Sequence, residues 1–131
     1  MSSVKTAPIG RISLVCVPTR DQDRAITFYE SLGFEKRTDI GFGGKYRWVE
    51  VYPPEGTAGI AIAPPPGDEP IVPVNTGITL TTNDIEASHA QFKALGADVD
   101  HEISRMGDPV PPMFWFRDPS GHTLMVVEQP S

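Results

Sequence analysis

The stretch Asp21-Gln22-Asp23-Arg24-Ala25-Ile26-Thr27-Phe28-Tyr29-Glu30-Ser31-Leu32-Gly33-Phe34 decides the fold, because its pattern returns 63 residues later. Asp84, Phe92, Leu95 and Gly96 stand where Asp21, Tyr29, Leu32 and Gly33 stood. Just upstream, Val15 and Val17 correspond to Ile78 and Leu80 without a gap. Agreement across a strand, a turn and a helix points to an internal duplication.

Each copy has the marks of one strand followed by one helix. Ile12 to Val17 and Gly77 to Thr82 alternate with period two, the signature of a strand with unlike faces. Ile26, Tyr29 and Leu32 in the first copy, and Ile85, Ser88, Phe92 and Leu95 in the second, form stripes at three- and four-residue spacing. Asp21, and Asn83 or Asp84, occupy N-cap positions; Gly33 and Gly96 occupy the left-handed exit.

Further strand-like pieces follow each helix: Phe34 to Thr38, Tyr46 to Tyr52 and Gly59 to Ala63, then Val99 to Ile103, Met113 to Arg117 and Thr123 to Glu128. Both units therefore read β-α-β-β-β, an α+β arrangement. Asp118-Pro119-Ser120-Gly121-His122 reads as a hairpin turn, with proline presetting one turn position and glycine accepting a positive φ. Pro64-Pro65-Pro66-Gly67-Asp68-Glu69-Pro70 opens a stiff connector over about 64–73. The expected organisation is one domain over 1–131, with module one at about 9–64 and module two at about 74–129.

A chain of 131 residues buries roughly two-thirds of its unfolded surface, enough for a real core. The formal charge of -6 repels nucleic-acid phosphates and anionic membranes, so neither is an expected partner. No apolar run has the length of a membrane span. The single cysteine, Cys16, and the lack of a signal-like N-terminus give the cytoplasm as the expected compartment.

The run Asp21 to Phe34, together with Phe116-Arg117-Asp118-Pro119-Ser120-Gly121-His122, resembles the vicinal oxygen chelate superfamily. That group includes glyoxalase I, extradiol dioxygenases, fosfomycin-modifying enzymes and bleomycin-binding resistance proteins. The resemblance implies two tandem βαβββ modules forming a curled mixed sheet around a cup, the glyoxalase/bleomycin resistance/dihydroxybiphenyl dioxygenase fold. It also implies divalent-metal ligands from the first and last strands of each module. Those positions fall on Leu14, Gly77, Ile62 and Met125, with Ala61 or Leu124 substituting if the last strand slips by one. Leu, Ile, Ala and Gly side chains offer no donor, and a thioether suits such ions poorly. No metal or other cofactor is therefore expected, and a divalent ion is disfavoured.

His122 is expected to serve the turn, His89 to lie on the exposed side of its helix, and His101 to precede Glu102 in a short strand. A displaced metal site would have to gather these histidines with Glu50 or Glu128, and nothing in their spacing requires that. On the third strand, Val49 and Val51 suit the helix-packed face, which sends Trp48 and Glu50 into the cup beside Leu14, Cys16, Thr79, Thr81 and Met125. Glu50 is a candidate general base, particularly if burial raises its proton affinity, or a site for a cationic ligand group. The plainer expectation pairs it with Arg47 or Arg117. Trp48 and Trp115 offer flat surfaces for a planar ligand, or core or dimer contacts. The loops Asp39 to Lys45 and Ser104 to Pro112 are placed to edge the cup, and Gly41 to Gly44 lacks the features of a phosphate-binding loop. Cys16 reads as a small apolar residue on the cup wall.

The sequence thus predicts a metal-independent protein that binds a small molecule, such as an antibiotic or planar metabolite. Leu14, Cys16, Gly77, Trp48, Trp115 and Met125 would line the site, and Glu50 and Thr79 would fix orientation. The alternative is an enzyme of the same fold, a lyase, isomerase or dioxygenase, with a non-standard metal site or with Glu50 as a metal-free base. A homodimer is expected.

Overall fold

A computed structural model describes residues 7–44 and 46–129. Module one contains β1 (Leu14–Pro18), α1 (Gln22–Ser31), β2 (Glu35–Gly41), β3 (Arg47–Tyr52) and β4 (Gly59–Ala63). Module two contains β5 (Asn75–Thr82), α2 (Ile85–Ala94), β6 (Asp98–Val99), β7 (Met113–Arg117) and β8 (Thr123–Glu128). Each module closes its own four-stranded mixed sheet, in the orders β1-β4-β3-β2 and β5-β8-β7-β6. The first strand runs parallel to the last in both, and the other pairs are antiparallel.

The duplication extends to backbone hydrogen bonds. Asp21 caps α1 by accepting from the Arg24 N–H, and Asp84 caps α2 by accepting from the Ala87 N–H. Both helices end in the same motif: Gly33 and Gly96 take positive φ, while the N–H groups of Phe34 and Ala97 return to the carbonyls of Tyr29 and Phe92. Glycine is needed at both exits because an L side chain in that region costs about 1–2 kcal/mol.

One apolar core joins the modules. Val17, Val49, Val51, Ile60 and Ile62 from the first sheet meet Phe114, Phe116, Leu124 and Val126 from the second, with Ile26, Tyr29, Ile85 and Phe92 of the helices among them. Phe28 of α1 lies 6.1 Å from the Phe116 ring of β7, centroid to centroid, so the first helix serves both modules. Strand alternation then turns the second face of each sheet away from this core. No helix among the described residues is long and apolar enough to cross a membrane.

Several local expectations shift. The strand expected over Val99 to Ile103 is reduced to Asp98–Val99 and a lone bridge from Ser104 to Met113: the Asp100 N–H still reaches the Trp115 carbonyl, and the chain then bends at His101 and Glu102. β5 begins early, at Asn75, and its pairing with β8 is irregular between Asn75 and Thr79, where Gly77 adopts φ 73°. His89 is buried rather than exposed: its Nε2 lies 2.8 Å from the Asp100 carbonyl and its ring meets Phe114 edge-on. Leu95 correspondingly turns out to solvent.

Candidate functional site

Strand register sorts the open faces into two transverse rows. In module one Cys16 pairs with Ala61, and Ala61 pairs with Glu50. In module two Thr79 pairs with Met125, and Met125 with Trp115. The last-strand position of module one is therefore Ala61, not Ile62. Ile62 pairs with Val17 and Val49 and faces the helices. Its offset to Met125 matches the repeat, but its parity does not. At the family's metal positions the open faces thus carry Leu14, Ala61, Gly77 and Met125, a set that does not fit a hard or borderline divalent ion.

The residues considered for a displaced metal site are dispersed. The His122 Nε2–H donates to the Pro18 carbonyl at 2.8 Å, while its Nδ1 accepts from the Val74 N–H at 3.2 Å. Glu128 caps the start of α2 by accepting from the Ile85 N–H, and His101 is exposed in a bend. Among the described residues, no three His, Cys, Asp or Glu side chains gather as a metal cluster.

The chemistry concentrates on β3. Trp48, Glu50 and Tyr52 share its open face, while Val49 and Val51 are fully buried on the other. The Trp48 indole N–H donates to Glu50 Oε2 at 2.7 Å, and the Tyr52 hydroxyl donates to Oε1 at 2.7 Å. These two donors, the indole first, lower the proton affinity of Glu50; burial opposes them and Thr38 adds to them. The direction is opposite to the one a general base near neutrality requires.

The expected arginine partners are engaged elsewhere. Arg47 grips Asp39 through two nitrogens and Asp23 through a third, holding the Asp39 carboxyl well below the usual range with help from Lys36. Arg117 pairs with Asp98 and Asp100.

A glycine fixes the position of Tyr52. Gly59 of β4 lies beneath the phenol ring, and a Cβ there would meet ring carbons at 2.7–2.8 Å. Arg37 covers the ring with its guanidinium 4.6 Å from the centroid. The Tyr52 phenol is pushed up, chiefly by its bond to Glu50. Sequence reasoning selected Trp48 and Glu50 but not Tyr52 or Gly59. Period-two spacing marked the first, and a glycine inside a strand signalled the second.

Cys16 and Thr79 are exposed, and Leu14, Trp48, Glu50, Trp115 and Met125 are half-buried. Among the described residues, no hydrogen bond or ring contact joins the module-one set to Thr79, Trp115 or Met125. A concavity of about 600 Å³ lies between the modules, lined by Leu32, Phe34, Pro53, Leu80, Gln91 and Phe92 among others. Of the cup residues read from the sequence, Thr79 and Thr81 border it. That groove gathers neutral hydroxyl and amide groups, among them the hydrogen-bonded Thr82 and Ser88 hydroxyls, whereas β3 presents a hydrogen-bonded carboxylate beside an indole. The chemistry favours β3.

This architecture has a family. The glyoxalase/bleomycin resistance protein/dioxygenase superfamily model matches residues 11–126. The chain belongs to that superfamily. Within it, the chain is similar to TnmS3, an antibiotic binding protein from Streptomyces sp. CB03234, at 29% identity and a TM-score of 0.76, covering 95% of this chain and 99% of that one. A superfamily member from Sphaerobacter thermophilus is 27% identical with a TM-score of 0.83, over 94% of this chain and 100% of the other. The uncharacterized protein YurT of Bacillus subtilis is 26% identical over 129 residues, covering 91% of this chain and 99% of its own length.

Proposed function

We propose that the chain is a metal-independent binding protein for a planar small molecule, with its cup assembled by pairing two copies. The observation that carries this reading is the Trp48–Glu50–Tyr52 triad: a fixed, ionised carboxylate beside a half-buried indole, on a face where the family's metal positions carry no suitable donor. Similarity to TnmS3 supports sequestration of an antibiotic or planar metabolite. The low proton affinity of Glu50 supports recognition over proton abstraction, and so favours binding over the enzymatic alternative.

Edges and faces support the paired cup. β1 and β5 are outer strands of their sheets, so each leaves one row of backbone groups open. The open faces point away from the core that joins the modules. A second copy docking along these edges sets Leu14, Cys16, Trp48 and Glu50 of one chain opposite Gly77, Thr79, Trp115 and Met125 of the other. The tryptophans and Met125 then supply apolar contact, and Glu50 and Thr79 orient the ligand.

Light scattering, metal analysis of protein purified without chelator, and calorimetric titration with planar aromatic compounds test this together. A metal-free dimer that binds at least one such compound, with affinity lost in Trp48→Ala, is expected. Stoichiometric bound metal, or full affinity in the variant, contradicts it.

A further inference from the structure

The charge of the ligand follows from the same site, and the inference rests on the binding reading above. An ionised carboxylate offers about four acceptor positions. Trp48 and Tyr52 occupy two at Glu50 and Thr38 adds a further hydrogen bond, leaving room for at least one ligand donor. Neighbouring cations commonly take up the remaining acceptor positions of a carboxylate. Here they do not: among the described residues, no Lys or Arg forms an ion pair with Glu50.

Of the cations near this face, Arg37, Arg47 and Arg117 are already neutralised, while Arg11 forms no ion pair among the described residues. Arg47 is held by Asp23 and Asp39, and Arg37 by Glu35 with the carbonyls of Pro53, Pro54 and Gly56. Arg117, on the open face of module two, is held by Asp98 and Asp100. Arg11 and Arg37 are felt by the Tyr52 phenol but do not pair with Glu50.

The surface beside the carboxylate is aromatic and apolar. Ile40, across the strand from Trp48, is exposed, and farther along the same hairpin the exposed rings of Phe42 and Tyr46 lie 5.7 Å apart. An indole face attracts positive charge, as does the carboxylate next to it. The net charge of -6 acts in the same sense at long range. We propose that the ligand is a planar aromatic cation, with its charged N–H group on the open positions of Glu50 and its ring system against Trp48.

Three tricyclic probes of similar shape test this by titration of the full chain: 9-aminoacridine (cationic), acridone (neutral) and anthraquinone-2-sulfonate (anionic). The cation is expected to bind at least tenfold more tightly than the other two, and Glu50→Gln to lose at least tenfold of that affinity. Affinity for the cation should fall with added salt in the native chain and respond much less in the variant, with thermal melts verifying that Glu50→Gln is folded. Equal or tighter binding of the neutral or anionic ring overturns the charge assignment while leaving small-molecule binding intact. Failure of all three to bind overturns both.

Discussion

The Tyr29 hydroxyl donates to Asp118 Oδ2 at 2.9 Å, latching the helix of module one to the turn of module two. Asp118 is buried, and its other oxygen accepts the N–H groups of Ser120 and His122. Tyr29→Phe removes one donor from that carboxylate and should cost about 1–3 kcal/mol in denaturant unfolding. Burial first, then the Asp118 charge, push the Tyr29 phenol far above its usual range. The folded state therefore holds this proton more tightly than the unfolded chain. The resulting stability is fully present below the unfolded tyrosine value of about 10 and is lost as pH rises beyond it. Alkaline unfolding should be less steep in Tyr29→Phe.

His122 continues the same seam. Fully buried, it bridges Val74 at the start of module two and Pro18 at the end of β1. His122→Phe leaves the Val74 N–H and the Pro18 carbonyl without their partner and should cost about 1–3 kcal/mol. Because His122 also donates its backbone N–H to Asp118, a double-mutant cycle with Tyr29→Phe should show coupling rather than additivity. Simple addition of the two losses would mean that the seam is not a unit.

What the chain order made readable was local. Asp21 and Asp84 as caps, and Gly33 and Gly96 as exits, depend on neighbours within one turn, so the repeat exposed them directly. The faces of Trp48 and Glu50 followed from period two. Ile62 was misplaced because the offset between modules grows by one residue before the last strand, visible only when Cys16 is seen to pair with Ala61 and Thr79 with Met125. His89 and Ser88 compete for nearly the same helix face, and the distant Asp100 carbonyl decides between them. Pairing Glu50 with an arginine was reasonable by charge, but Asp23, Asp39, Asp98 and Asp100 hold the candidates.

Gly59→Ala should damage the site without touching a proposed ligand contact. Its methyl group occupies the space of the Tyr52 ring, forcing the phenol off the sheet and away from Glu50. Overpacking of this kind costs about 1–3 kcal/mol. Probe affinity should fall, with altered Trp48 fluorescence as the neighbouring carboxylate moves. Unchanged affinity would show that Tyr52 does not help to hold Glu50.

Acid titration distinguishes a hydrogen-bonded Glu50 from an ordinary one. Its folded proton affinity is lowered, first by Trp48 and then by Tyr52. Its contribution to stability is therefore present above the unfolded value and is lost as pH falls through the lower folded value. Affinity for 9-aminoacridine, which stays cationic in acid, should persist through the ordinary glutamate range near about 4.3 and fall only below it. A loss centred at or above that range would contradict the depressed carboxyl.

Subunit complementation tests the paired cup most directly. Trp48→Ala and Trp115→Ala chains are each expected to form dimers that bind poorly. After exchange of subunits, each mixed dimer would contain one doubly altered cup and one intact cup, restoring roughly a quarter of the full complement of sites under random mixing. Restored binding in the mixture is the predicted result, and a mixture that binds no better than its two components would contradict assembly of the cup from two copies.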